Sequence, residues 1–417
     1  MLVPKLRFKR EDGTDYPEWE QTCVGKVFDK VKDKNKDCSN TNVITNSAEF
    51  GLISQRDFFD KDIAVEGKTD NYTIIKTNDF VYNPRKSSFA PFGAFNGYTL
   101  ADDGIVSPLY FCLRMKNNKM SANFMLWYFK SSRWHRFIYE NGEQGGARHD
   151  RVGISEEMVK GIPIDKPCLE EQQKIAAFLS AVDEVIAQSE AEVQNLGQQK
   201  KAAMQKIFSQ EVRFKREDGT EYPGWEIIKL SELCTLTNGI SKGKDYFGHG
   251  NRMVNLQDVF SLNWLTDNSE FDLVEVTPKE LEEKRIIKGD VLFIRSSVKP
   301  SGVGLPCVIA TEMKDTVFSG FIIRARFFQE RLDIGYKRYC FLEEDFRNAI
   351  MKKCSVSANT NINQENLENI GVKTPCLEEQ QKIADFLSAY DEAISYAKQE
   401  LDKWKELKKG LLQQMFV

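Results

Sequence analysis

Pro167-Cys-Leu-Glu-Glu-Gln-Gln-Lys-Ile175 opens the stretch whose period decides the architecture, and Pro375-Cys-Leu-Glu-Glu-Gln-Gln-Lys-Ile383 repeats it residue for residue 208 positions later. Beyond each opening, seam residues recur in alternating steps of four and three. In the first copy they are Ile175, Leu179, Val182, Ile186, Val193, Leu196, Ala203 and Ile207, with Ser189 and Lys200 in the polar gaps. In the second they are Ile383, Leu387, Tyr390, Ile394, Ala397, Leu401, Trp404, Lys408, Leu411 and Met415. Such steps hold one stripe on one helix face, which is a coiled-coil seam. The spacing therefore predicts two matched helical rods of about 40 residues, each about 60 Å long. Gly197 interrupts the first at a cost of about 1 kcal/mol relative to Ala, and close packing of a neighbour is the expected reason.

Outward from the rods, a second repeat appears. Arg7-Phe-Lys-Arg-Glu-Asp-Gly-Thr-Asp-Tyr-Pro-Glu-Trp-Glu20 returns as Arg213-Phe-Lys-Arg-Glu-Asp-Gly-Thr-Glu-Tyr-Pro-Gly-Trp-Glu226. Asp-Gly signals a turn and Tyr-Pro an extended exit, so this is a collar between a rod and the next module, expected to pack rather than bind. Between collar and rod lie two modules alike in plan and different in residues. Residues 21–120 read as strand-rich, with runs at Asp79-Phe-Val-Tyr-Asn83 and Ile105–Arg114. Asp290-Val-Leu-Phe-Ile-Arg295 and Val317–Arg326 answer them in the second module. One helix is expected from Ser121 to about Ile138 and another from Tyr336 to Lys353. The chain is thus a tandem duplication. It divides into an N-terminal collar (1–20), a first module (21–166), a central rod (167–212), a repeated collar (213–226), a second module (227–374) and a final rod (375–417). The fold class expected is α+β, with two globular domains related by a pseudo-two-fold and joined by two long antiparallel coiled-coil helices.

Composition narrows the function. The 417 residues carry a net charge of −4, with 29% charged and 41% hydrophobic side chains. Residues 1–166 hold 25 basic against 23 acidic side chains and residues 213–374 hold 23 against 24, so both modules are near neutral. The acidity sits mainly in the rods, and bulk charge would not hold nucleic acid; a local basic face would have to. No apolar run approaches the roughly 20 residues of a membrane span, and nothing reads as a signal peptide. The nine cysteines show no C-x-x-C and no metal spacing with the three histidines. Their scatter fits a reducing cytoplasm.

The motifs of catalysis are incomplete. Asn83-Pro-Arg-Lys86 only begins the Asn-Pro-Pro-aromatic element of an adenine methyltransferase and lacks the aromatic that would stack on the base. Gly302-Val-Gly304 is a weak glycine signal, no G-x-x-x-x-G-K-[ST] occurs, and Glu282-Glu-Lys284 lacks an acidic partner for a nuclease site. No chemistry of its own is expected.

The doubled rod entry with its collar, and the tandem layout, resemble the specificity subunit of type I restriction-modification enzymes across essentially the whole chain. That resemblance implies two target-recognition domains, each reading half of a bipartite double-stranded DNA sequence. It also implies helices that set the gap and dock two methyltransferase subunits. Restriction subunits would join in a full complex, in a bacterial cytoplasm. S-adenosylmethionine, and ATP with Mg for restriction, would belong to those partners, and no cofactor or metal to this chain. The competing class is a coiled-coil adaptor with two protein-binding modules.

The DNA contacts must be placed by chemistry. The loop after the first central strand offers Arg85, Lys86 and Ser87 in module one and Arg295, Ser296 and Lys299 in module two. Arg and Lys suit guanine O6/N7 or phosphate, and Ser suits either. The loop before the last short helix offers Gln144, Arg148, His149 and Arg151, and in the second module Ser357, Asn359, Thr360 and Asn361, among which Gln and Asn suit adenine. A third loop offers Lys242 and Lys244, with Lys30 to Asn42 as its counterpart; glycine-rich basic loops can approach phosphates closely. Solvated surface loops are the rival reading for all three.

Overall fold

A computed structural model describes residues 4–58, 68–142, 150–267, 270–328, 331–356 and 359–416. The chain forms two compact units, Met1–Glu190 with Gln399–Val417, and Ala191–Lys398. Each contains one module, the first part of the rod that follows it and the last part of the other rod.

The rods are single helices, Leu169–Phe208 and Leu377–Met415. In the first unit, Glu190 pairs with Lys405 at 2.7 Å and Asp183 pairs with Lys408, so numbering rises along one helix as it falls along the other. The helices there are antiparallel. In the second unit Lys200 pairs with Asp391. Lys200 and Lys408 are the same seam position in the two copies, as are Asp183 and Asp391, so each unit uses the same ion pair. Ile175, Leu179, Val182, Ile186, Ile207, Ile383, Leu387, Leu401 and Leu411 are buried. Val193, Leu196, Tyr390, Ile394 and Trp404 are half-buried, because two helices alone can cover only a narrow stripe. A Cβ built on Gly197 meets nothing within 4 Å, so the expected close packing is absent.

Each module starts and ends on one antiparallel strand pair, Glu20–Cys23 with Pro163–Lys166 and Glu226–Lys229 with Gly371–Thr374. Inside the first, the strands Phe28–Lys30, Phe111–Met115, Phe80–Asn83 and Ala94–Gly97 lie in that order in an antiparallel sheet. In the second, Cys234–Asn238, Ile322–Phe327, Val291–Ile294, Pro306–Ile309 and Trp264–Leu265 form a five-stranded sheet whose last pair is parallel. Both central strands begin after a buried aspartate held the same way. Asp79 takes two bonds from Arg114, at 2.8 and 2.7 Å, and Asp290 two from Arg326, at 3.0 and 2.7 Å. Each carboxylate also accepts a backbone N–H three residues upstream, from Lys76 and Ile287.

The single helix expected in each module is instead two. In the first, Ala122–Lys130 ends at Ser131, whose hydroxyl donates to Tyr128 O at 2.6 Å, and His135–Asn141 follows. In the second, Ile334–Cys340 stops before Glu343, whose carboxylate caps a new helix, Glu344–Lys353, by accepting from Phe346 N and Asp345 N.

The repeated residues latch collar to rod. Glu171, fully buried, accepts Arg7 Nε and Nη2 at 3.0 and 2.8 Å and Trp19 Nε1 at 3.0 Å. Glu379 does the same for Arg213, at 3.1 and 2.7 Å, and for Trp225, at 2.9 Å. The next residue ties rod to module. Gln172 accepts from Ser121 N at 2.8 Å, and Gln380 from Asp333 N at 2.7 Å; Ser121 and Asp333 are themselves helix N-caps. The helix ends close the frame. Phe416 packs on Phe124 and Tyr128 in the first unit, and Phe208 on Trp225 and Tyr336 in the second.

Candidate nucleic-acid interface

In each module the chain leaving the central strand meets the chain approaching the last short helix. In the first, Arg85 bridges Arg151 as an antiparallel pair, Lys86 N donates to Asp150 O at 2.8 Å and Val152 N to Pro84 O at 2.9 Å. In the second, Ser296 and Ser297 pair with Asn361 and Thr360, and Ile362 N donates to Arg295 O at 3.0 Å. Two loops about 65 residues apart in sequence are thus neighbours at the same edge of both modules.

This pairing sorts the candidates. Ser296 and Thr360 are buried with Ser297 and secure the loop, whereas Arg295, Lys299 and Asn359 are exposed and Asn361 is half-buried. Arg85 and Ser87 are exposed, and Arg85 lies 3.6 Å from Asp150, a loose surface pair. Arg151 is partly buried, and its Nε has no hydrogen-bond partner among the described residues. Gln144, Arg148, His149 and Ser357 lie outside the described residues.

The third loop adjoins this edge in the second module. Ile240 bridges Ser319, and a Cβ on Gly239 would fall 2.2 Å from Ser319 O, so only glycine permits the approach. Lys244 is exposed. Lys242 is committed to Glu280 at 2.8 Å and sits over the Tyr246 ring. That pairing, with the N-cap Thr277, holds the Glu280 carboxyl down to about 2. The counterpart loop in the first module folds upon itself, with Asn35 fully buried and its amide bonded to Asn40 O and Thr69 Oγ1.

Sequence reasoning missed the apolar members of this edge. Phe89 lies at the tip of a tight turn closed by Ser87 N to Ala90 O and Ala90 N to Ser87 O. Val298 follows the Ser296-Ser297 strand, and Phe321 carries the carbonyl that accepts Arg295 N. Their exposures are 70%, 81% and 58%. The available signal was the shared order Ser-Ser-apolar after an arginine.

A doubled α+β frame that repeats its packing residues and varies its exposed loops defines a two-module recognition protein. The type I restriction modification DNA specificity domain matches residues 16–196 and 222–405, and the chain belongs to that family. Its role is DNA sequence specificity, and the family is that of the specificity component rather than a catalytic one. It is 22% identical over 413 residues to the type I restriction enzyme MjaVIII specificity subunit of Methanocaldococcus jannaschii, covering 97% of this chain and 94% of the relative. It is 23% identical over 319 residues to the putative MjaX specificity subunit of that organism, covering 72% and 68%. Among solved structures, it matches the type I restriction-modification S subunit from M. genitalium with a TM-score of 0.54 and 14% identity, over 100% of this chain and 99% of that one. A chain from a study of complex assembly and conformational transition of the type I system matches with a TM-score of 0.61 and 16% identity, over 96% and 98%. The adaptor alternative finds no support in these relatives. No helix among the described residues is long and apolar enough to cross a membrane.

Proposed function

We propose that residues 21–166 and 227–374 each read one half of a bipartite DNA target, that the paired helices set the gap between the halves, and that they dock two methyltransferase subunits. The observation that carries this is the convergence of the same two loops at the same edge of both modules, on a frame whose packing residues are nearly identical. Identical frames give one architectural role, and different loops give two different words. Arg85 and Arg151, and Arg295, Lys299, Asn359 and Asn361, supply base and phosphate contacts. Lys86 and Lys244 steer phosphate.

Two docking sites for the same partner fit the surface of the rods. Leu169 and Phe178 are exposed at 42% and 38%, and their repeats Leu377 and Phe386 at 49% and 40%. Each entry also presents an exposed glutamate, Glu170 and Glu378. S-adenosylmethionine, and ATP with Mg for restriction, belong in this reading to methyltransferase and restriction subunits, in a bacterial cytoplasm.

The test is to express the chain with its cognate methyltransferase subunit in a host without adenine methylation and to map methyladenine across the genome. One motif of two short words around a fixed gap is expected. Methylation at a single undivided word, or none from an intact purified complex, would overturn the reading.

A further inference from the structure

We propose that Phe89 and Val298 are exposed apolar tips that read the 5-methyl group of a thymine, one in each half of the target. The inference rests on the reading above, in which the converged loops contact the bases, and adds that they do so from the major groove.

Singly exposed apolar side chains are ordinary on protein surfaces, so exposure alone says nothing. The marks here are position and company. The modules share almost no residues, yet a Ser-Ser-apolar triplet follows the central strand in both, with Phe89 six residues past Asn83 and Val298 four past Ile294. Each tip is flanked by cations, Arg85 and Lys86 in one case and Arg295 and Lys299 in the other. Each has a hydrophobic flank. Val298 borders a cleft of about 280 Å³ with Phe260 and Phe321 on its wall and Lys299 at its rim. Behind the Phe89 turn, Phe92 packs on His135 and on Tyr139, itself 64% exposed.

Cations draw the edge to phosphates, and hydroxyls bond any base, so neither explains an apolar point. In the major groove the apolar feature that distinguishes one base from another is the thymine methyl. An intercalating wedge is the competing use of an apolar tip. Val298 disfavours it, since a valine is too short to hold two base pairs apart.

The experiment uses the complex of the full chain with its methyltransferase subunit and duplexes carrying the mapped motif. Each thymine is replaced in turn by deoxyuridine, which removes the methyl alone. At one thymine in each word the replacement is expected to weaken binding about three- to tenfold, the worth of one buried methyl. F89A should erase the difference between thymine and deoxyuridine in one word only, and V298A in the other. Both side chains are largely exposed, so both variants should fold. Undiminished discrimination in both variants would overturn the proposal, as would a target in which no deoxyuridine substitution matters. Loss of 2-aminopurine unstacking in F89A, with unchanged thymine discrimination, would replace it with a wedge. A methylome without a bipartite motif would instead overturn the function beneath it.

Discussion

Glu171 shows how one side chain can hold a module in place. It is fully buried and its carboxylate satisfies Arg7 and Trp19 together. Removing one member of a buried pair leaves the other without compensation and costs about 3–5 kcal/mol. Arg7 keeps 19% exposure, which places E171A near the lower end, at about 3 kcal/mol. E379A should cost as much in the second unit, whereas E170A, at an exposed position, should cost at most about 0.5 kcal/mol. Urea melts that resolve the two units check this by which transition moves. His135 gives the first unit a pH dependence. It is packed against Phe92 and Trp134, and burial holds its imidazole below the ordinary 6.5. The unfolded chain therefore takes up the proton first as pH falls. Stability is full above 6.5 and is lost as pH drops from there through the folded value. Melting temperatures against pH should show that loss, and H135F should flatten it.

Among the elements, the rods set register by charge within an apolar seam. Asp391 receives Lys200, Arg338 at 3.3 Å and the Tyr339 hydroxyl at 2.7 Å. D391A would strand two cations and should cost about 3 kcal/mol. K200M leaves Asp391 with two partners and should cost about 1 kcal/mol or less. A double-mutant cycle on denaturation midpoints separates the two. G197A should add up to about 1 kcal/mol of stability, since nothing occupies the space its methyl would fill. The rods were legible in the sequence because a heptad is a local pattern, and the duplication was legible because two copies can be compared. Contacts across long separations were not. Asp79 and Arg114 lie 35 residues apart with no period linking them, and Glu171 finds Arg7 across 164. Helix breaks at Ser131 and before Glu343 were hidden because aromatic runs continue through them. At the candidate site the loops were legible by residue type, but their pairing was not, and pairing is what buries Ser296 and Thr360 while leaving Arg295 and Lys299 outside.

At the scale of the whole molecule, the proposal that the paired helices set the gap makes that gap depend on helix length. Each rod passes from one unit to the other, after Glu190 and after Lys398. Seven residues added at both places would preserve the seam, because a heptad returns a side chain to within about 20° of its starting face. The added rise is about 10.5 Å. Base pairs stack about 3.4 Å apart, so the gap should widen by up to about three pairs while both words stay the same. An insertion in one helix alone has no partner for its new turns; it must loop out or break the seam, and should leave the gap unchanged or abolish methylation. Methylomes of the three chains distinguish these outcomes. A constant gap in the doubly extended chain, with full methylation, would show that the spacing is fixed by the partner subunits instead of by the rods.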